Sequence, residues 1–261
     1  MTTTTIYTSD IWAENVDKYR PGGYHPIHLG DRLKDGRYEI LHKLADGQIT
    51  LVWLAIDHAE NRNVAIKIYM SSRSTEANNE LAMLRYLKNK CVDHPGYKHV
   101  IRLLDDFHLD GPNGRHICLV THVLGPDAGG RYFGWSRKTG QLGKTVSKQL
   151  LLAVDYLHAA RVVHGDISAC NVVYRLSPVD LMRPDAITNL LGNPVLRTVT
   201  RFGGGECGPE APKYTVVAPW YLNDHVLESL NEVKEVVLTD LKSGTESQTI
   251  PLPSDLVYYD F

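Results

Sequence analysis

The residues with the clearest capacity for chemistry are His164, Asp166 and Asn171. They lie in the stretch Val163-His164-Gly165-Asp166-Ile167-Ser168-Ala169-Cys170-Asn171, in the spacing H-x-D-x-x-x-x-N. A carboxylate on a loop can accept the proton of an attacking hydroxyl, and a nearby carboxamide oxygen can ligate a divalent cation. Asp166 is therefore the candidate general base, Asn171 the candidate metal ligand, and His164 a structural residue beneath the loop. The same spacing also fits an ordinary surface loop, so its meaning depends on its neighbours.

Upstream, Val64-Ala65-Ile66-Lys67 ends an apolar strand pattern in a cation, which suits a lysine reaching into a cleft to meet phosphate oxygens. Glu80, on the helix that follows, could pair with Lys67 and hold its ammonium, or it could be a solvated helix glutamate. Before them, Leu44-Ala45-Asp46-Gly47-Gln48-Ile49-Thr50-Leu51-Val52-Trp53 reads as a hairpin whose turn could cradle phosphates through backbone amides. Gly47 is its only glycine, so a plain hairpin remains open. Val52 and Ala65 are small apolar walls for a nucleobase, with Ala45 and Gly47 beside them. In Cys118-Leu119-Val120-Thr121-His122-Val123-Leu124-Gly125, Thr121 would guard the back of that pocket, and His122 and Leu124 would offer backbone contacts to the base. A merely buried strand fits this stretch equally. No partner ligand is spaced near His122 to make it a metal ligand. Asp240, after a strand-like run, is the candidate second metal ligand or simply a strand-ending Asp. Asp260 competes for the role.

Positioning these groups requires two lobes, an α+β arrangement. Residues 1–36 are polar with turn signals at Pro21-Gly22-Gly23 and Asp35-Gly36, and read as an N-terminal arm. Residues 37–125 form the first lobe. Apolar runs from Tyr38 to Tyr69 predict three antiparallel strands. Ala77, Leu81, Leu84 and Leu87 predict a helix over Thr75–Lys90. Strands are expected at His99–Leu104 and His116–Leu124, around the turn Asp110-Gly111-Pro112-Asn113-Gly114. Gly125–Gly143 bridges to a second lobe over 126–261. There Val146, Leu150, Val154 and Leu157 predict a helix over Thr145–Ala159. Residues 177–234 read as a long insert, mostly irregular through Pro219 with a short helix near Asp180–Leu191. A strand is expected at Glu235–Thr239.

Composition narrows the function. The chain has 261 residues, 43% hydrophobic and 22% charged, enough for a substantial core. A net charge of −2 gives no basic field for nucleic acid or an anionic membrane surface. Four scattered cysteines form neither zinc spacing nor a disulfide framework, which points to a reducing, intracellular compartment. No signal-peptide pattern and no membrane-spanning run are present in the sequence.

The ordered series resembles the SR-protein-specific Ser/Thr protein kinase family, most of all its fungal members. Further stretches carry the resemblance: Tyr19-Arg20-Pro21-Gly22-Gly23-Tyr24-His25-Pro26, Gly30-Asp31, Asp35-Gly36-Arg37-Tyr38, Val52-Trp53-Leu54-Ala55, Asp110 through His116, Cys118-Leu119-Val120 and Gly208-Pro209-Glu210-Ala211-Pro212. It implies a two-lobed kinase fold, ATP and Mg²⁺ as cofactors, and phosphoryl transfer to protein Ser or Thr, typically on Arg/Ser-rich splicing factors in cytoplasm and nucleus. No direct contact with nucleic acid or membrane is implied. Lys67, Glu80 and Asp166 would be catalytic. Ala45, Gly47, Val52, Ala65, Lys67, His122 and Leu124 would bind nucleotide, and Asn171 and Asp240 would bind metal. Several residues depart from the pattern: the single Gly47, Gly165 and Ser168 in the catalytic loop, and Lys242 after Asp240-Leu241. Few residues follow Asp240, so the second lobe is expected to be incomplete, and a catalytically inactive, kinase-like binding module is the alternative function.

Overall fold

The computed structural model describes residues 7–8, 13–128, 139–175, 181–218, 235–241 and 245–246. Its elements in chain order are β1 (Tyr7–Thr8), β2 (Arg32–Leu33), β3 (Tyr38–Asp46), β4 (Thr50–Asp57), β5 (Arg62–Tyr69), α1 (Ser74–Leu87), β6 (Leu103–Gly111), β7 (Gly114–Thr121), β8 (Leu124–Asp127), α2 (Thr139–Ala159), β9 (Val162–Val163), β10 (Val172–Arg175), α3 (Pro184–Leu191), β11 (Leu196–Thr198), β12 (Thr200–Arg201), β13 (Tyr214–Val216), β14 (Val236–Leu238) and β15 (Thr245–Glu246).

The first lobe is a six-stranded antiparallel sheet in the order β2-β3-β4-β5-β7-β6. Alternation along its strands makes two apolar faces. Trp53, Val64, Ile66 and Ile68 point to one, while Val52, Ala65 and Lys67 line a cleft on the other. The β6–β7 hairpin closes on a two-residue turn, Pro112-Asn113, between the paired Gly111 and Gly114. The strand expected at His99 instead begins at Leu103. Tyr97–His99 is a short 3₁₀ helix, and the Ile101 amide donates across the lobes to the Leu238 carbonyl at 3.0 Å. That segment is apolar because it is buried between lobes, not because it joins the sheet.

Helix α1 buries Ala77, Glu80, Leu81, Met83, Leu84 and Leu87, the stripe expected from three- and four-residue spacing. Helix α2 buries Ala153, Tyr156 and Leu157 in the same cluster, where the Tyr156 hydroxyl donates to the Leu87 carbonyl at 3.1 Å. Gly96 permits this approach, since a Cβ there would sit 1.8 Å from the Leu152 carbonyl oxygen. Strands β14, β10 and β8 form a three-stranded sheet beneath the cleft.

Two segments pack differently from their sequence pattern. The described part of the arm is folded onto the outer face of the first sheet, with Val16, Tyr19, Tyr24 and Ile27 all buried. The described part of the 177–234 insert also joins the first lobe. Val199, Ala211 and Val216 lie in the core of that same face, and Ile187 and Leu191 of α3 pack on Leu44, Leu54, Ala65 and Val123. Strands β11 and β13 pair there, so the segment is more regular than its Pro and Gly content predicts. Turn residues set where those short strands end; apolar burial against an existing sheet gives them partners. Most of Gly125–Gly143, and Lys242 and Asp260, lie outside the described residues.

Candidate active site

The two lobes meet at a cleft of about 620 Å³. Ala45, Gly47, Val52, Ala65, Lys67, Glu80, His122, Leu124, Asn171 and Asp240 all line it, so the structure gathers every sequence-derived site residue but one. Asp166 stands just beyond the lining, tied to it through Asn171. The Asn171 amide nitrogen donates to the Asp166 carbonyl at 2.8 Å and approaches its Oδ2 at 3.4 Å.

Lys67 gathers the charges. Its position on β5, opposite Val52 of β4 and Leu119 of β7, aims the side chain away from the apolar outer face and into the cleft. Its ammonium is 2.7 and 3.0 Å from the two Glu80 oxygens and 3.2 Å from Asp240 Oδ1. Glu80 is carried in by the buried stripe of α1, and its second oxygen also accepts from the Tyr69 hydroxyl. Burial works against the charge on Lys67, but Glu80 above all, then Tyr69 and Asp240, outweigh it and hold the ammonium well above the ordinary lysine value. Burial, with Glu80 beside it, likewise keeps the Tyr69 phenol protonated.

The loop carrying Asp166 is set by His164. The Asp166 amide donates to His164 Nδ1 at 3.3 Å, so Nε2 carries the proton and donates to the Thr239 carbonyl at 2.9 Å. Thr239 in turn gives its amide to the Asn171 carbonyl at 2.8 Å and its hydroxyl to the same oxygen at 3.2 Å. One network thus fixes Asp166, Asn171 and the residue preceding Asp240. Both Gly165 (φ +80°) and Asp240 (φ +68°) occupy the left-handed region, the first easily and the second at a cost. The strain at Asp240 is borne where its carboxylate meets Lys67.

The apolar part of the cleft lies toward β8. Val52 and Ala65 face Val173 of β10, with Thr121 paired to Ala65 at the back. Together they make an apolar part of the cleft lining, which His122 and Leu124 also border. The turn is tight at Gly47: a Cβ would lie 2.8 Å from Thr50 Oγ1 and 3.2 Å from its carbonyl, so a side chain there would make Thr50 shift.

Tyr69, Ile49, Asp127, Val173 and Thr239 also contribute to the cleft and were not picked out from sequence. Val173 follows Asn171 and Thr239 precedes Asp240 in stretches of ordinary strand composition, and only register brings them in. Tyr69 could have been found, because it stands two residues beyond Lys67 and therefore shares its face.

Among the described residues no group of three or more His, Cys, Asp or Glu side chains could hold a metal unaided. Asn171 and Asp240 offer oxygen donors on one side of the cleft, a set that suits a hard cation completed by the oxygens of a substrate phosphate.

Comparison with known proteins agrees with this geometry. The protein kinase domain model matches residues 38–182. Protein kinase dsk1 of Schizosaccharomyces pombe is 37% identical over 166 residues, covering 61% of this chain and 30% of that protein. Serine/threonine-protein kinase SKY1 of Saccharomyces cerevisiae is 37% identical over 179 residues, covering 64% and 24%. SRSF protein kinase 3 of Homo sapiens is 34% identical over 169 residues, covering 61% and 29%. The chain therefore spans between about a quarter and a third of the length of these curated relatives. Among solved structures, a crystal structure of a kinase domain superposes with a TM-score of 0.55 at 18% identity, covering 87% of this chain and 56% of that one. This last likeness is one of fold.

Proposed function

Because the chain belongs to the protein kinase family, matched over more than half its length at residues 38–182, we propose that it transfers the γ-phosphoryl group of ATP to a protein serine or threonine. One observation carries the reading. Lys67 is held between Glu80 at 2.7 Å and Asp240 at 3.2 Å inside a cleft that also contains Asn171. Phosphoryl transfer asks little covalent chemistry of a protein and much positioning of charge, and this arrangement supplies it.

The base of the nucleotide would lie in the apolar part of the cleft between Val52, Ala65 and Val173, its edge toward the backbone at His122 and Leu124. Lys67 would meet the phosphates, oriented by Glu80. Asn171 and Asp240 would hold Mg²⁺, which when bound offsets negative charge on the transferred group. Asp166 accepts the proton of the incoming hydroxyl from a position fixed by Asn171 and His164. An Arg/Ser-rich splicing factor is the proposed protein substrate, supported by the motif stretches shared with SR-protein kinases and by the similarity to SRSF protein kinase 3. Work in cytoplasm and nucleus belongs to the same reading.

The test is transfer from γ-labelled ATP to an Arg/Ser-rich peptide. Transfer that falls by about 10²–10⁴ in Asp166→Ala is the expected result; transfer that survives that substitution defeats the assignment. A second reading, a kinase-like binding module without turnover, is favoured by Gly47 standing as the only glycine in the stretch Leu44–Trp53. Mg-ATP binding with no transfer to any Ser/Thr peptide would establish it.

A further inference from the structure

The turn between β3 and β4 is held from behind by the arm. The Tyr24 hydroxyl donates to the Gly47 carbonyl at 2.6 Å, with the Gln48 carbonyl at 3.1 Å also in reach. Lys18 Nζ donates to the same Gln48 carbonyl at 2.6 Å and to the Tyr24 hydroxyl at 3.3 Å. These contacts lie on the outer face of the sheet, where Tyr24 packs with Trp53 and Ile66. The cleft lies on the opposite face, and Gly47, Gln48 and Ile49 border it.

In a trans peptide the N–H points opposite to the C=O. Carbonyls of Gly47 and Gln48 committed to the arm therefore turn the amides of Gln48 and Ile49 the other way, toward the cleft. The turn is further closed by the Gly47 amide on the Thr50 carbonyl at 2.8 Å, and the Met70 amide takes the Ile49 carbonyl at 2.9 Å. The arm itself is anchored. Tyr19 packs edge-on against Tyr24 with ring centroids 5.6 Å apart, its hydroxyl donates to Glu14 Oε1 at 2.6 Å, and Glu14 forms a buried ion pair with Lys43 of β3.

We propose that Tyr24 and Lys18 are positioning residues for nucleotide phosphate: they fix the peptide planes of Gly47 and Gln48 so that the turn presents its amides to the polyphosphate. This rests on the nucleotide-binding reading of the cleft. A loop rich in glycine reaches such a geometry through backbone freedom and must be ordered when phosphate binds. Here side chains of a separate segment supply the order beforehand, which lowers the cost of binding. The chemical class recognised through this device is a nucleoside di- or triphosphate, and a nucleoside without phosphate gains nothing from it.

The experiment measures binding of Mg-ATP and of adenosine by calorimetry to the full chain and to its Tyr24→Phe and Lys18→Met variants. Tyr24→Phe keeps the buried ring and removes only the donor. Loss of a hydrogen bond of this kind weakens Mg-ATP by about three- to tenfold, with adenosine unchanged within about twofold. KM for ATP rises in parallel and kcat stays near its original value. Lys18→Arg, which keeps a donor at the Gln48 carbonyl, restores most of the affinity that Lys18→Met loses. Equal weakening of ATP and adenosine would mean general damage to the lobe and overturns the proposal, as does unchanged ATP affinity in both variants. If the unsubstituted chain binds neither ligand, the nucleotide-binding reading itself falls. If it binds both and only the selective loss is missing, the positioning role alone falls.

Discussion

Lys67 carries one positive charge between two carboxylates, and its substitution should separate holding the fold from doing chemistry. Glu80 is almost fully buried, so Lys67→Met leaves a carboxylate in the core without its principal cation. Stability falls on that account. Transfer falls as well, by about 10²–10³, the usual effect of deleting one electrostatic stabiliser. In Lys67→Met/Glu80→Gln the stability cost is largely relieved, because no unpaired charge remains, while transfer stays at the level of the single variant. Thermal melts beside transfer rates on the four proteins of this cycle check it, and a double variant that regains transfer would show Lys67 to be structural only. At this scale the sequence was most informative. Lys67 and Asp240 are recognisable as charged groups at the ends of apolar runs, Glu80 as the helix carboxylate that follows Lys67, and Asn171 from its spacing to His164 and Asp166; Lys67, Glu80 and Asp240 then satisfy one another. Val173 and Thr239 were hidden, since nothing in a short apolar strand says which face meets a base.

The arm shows how element-level reading can miss the docking of a segment while finding the segment itself. Residues 13–36 lack any period, so their polar turns mark an arm but do not say that Val16, Tyr19, Tyr24 and Ile27 are core. The same holds for β11 and β13, whose apolar residues acquire meaning only against Trp53 and its neighbours. Three stretches that carried the family resemblance turn out to touch. Asn113 in the β6–β7 turn donates to the Tyr24 carbonyl at 2.6 Å and to the Glu210 carbonyl at 2.7 Å, joining hairpin, arm and the 208–212 segment. By contrast β3, β4, β5 and α1 were legible from pattern alone, the strands as apolar runs broken by turn signals and the helix as a regular apolar stripe. The Glu14–Lys43 pair is the natural place to test arm docking, both side chains being about 1% exposed. Lys43→Met leaves Glu14 buried and unpaired and should cost about 3–5 kcal/mol. Lys43→Met/Glu14→Leu removes both charges and should recover most of it, read as urea midpoints. A single variant as stable as the original chain would place the arm off the sheet in solution.

Across the whole molecule, buried imidazoles make stability depend on pH. Burial depresses His25, with His116 adding to the effect, to about 4. Burial also lowers His42, His99 and His116 below the ordinary histidine value. The rings lie in different parts of the fold: His25 and His116 stack edge-on with centroids 5.0 Å apart, His42 is on β3, and His99 donates from Nδ1 to the Val236 carbonyl between the lobes. A histidine whose folded value is depressed takes its proton more readily in the unfolded chain. Its contribution is therefore complete above the unfolded value near 6.5 and is lost as pH falls from there through the folded value. The depressed carboxylates Asp57 and Asp105, in which burial is outweighed by Arg37 at the first and by Lys34 and the Tyr38 hydroxyl at the second, act in a lower window. Their contribution persists above the usual carboxylate value of about 4 and disappears only below it. Unfolding free energy should accordingly drop by on the order of 2 kcal/mol or more between pH 7 and pH 4.5, before most of the Asp57 and Asp105 contribution is lost. Urea unfolding across that range measures it. In His25→Gln the absolute stability at pH 7 shifts by whatever packing is lost, but the slope between pH 6.5 and 4 should become shallower, because one of the groups that binds its proton only on unfolding is gone. An unchanged slope would mean that His25 is reached by water and protons in the folded chain, and that the contact between arm and hairpin opens without unfolding.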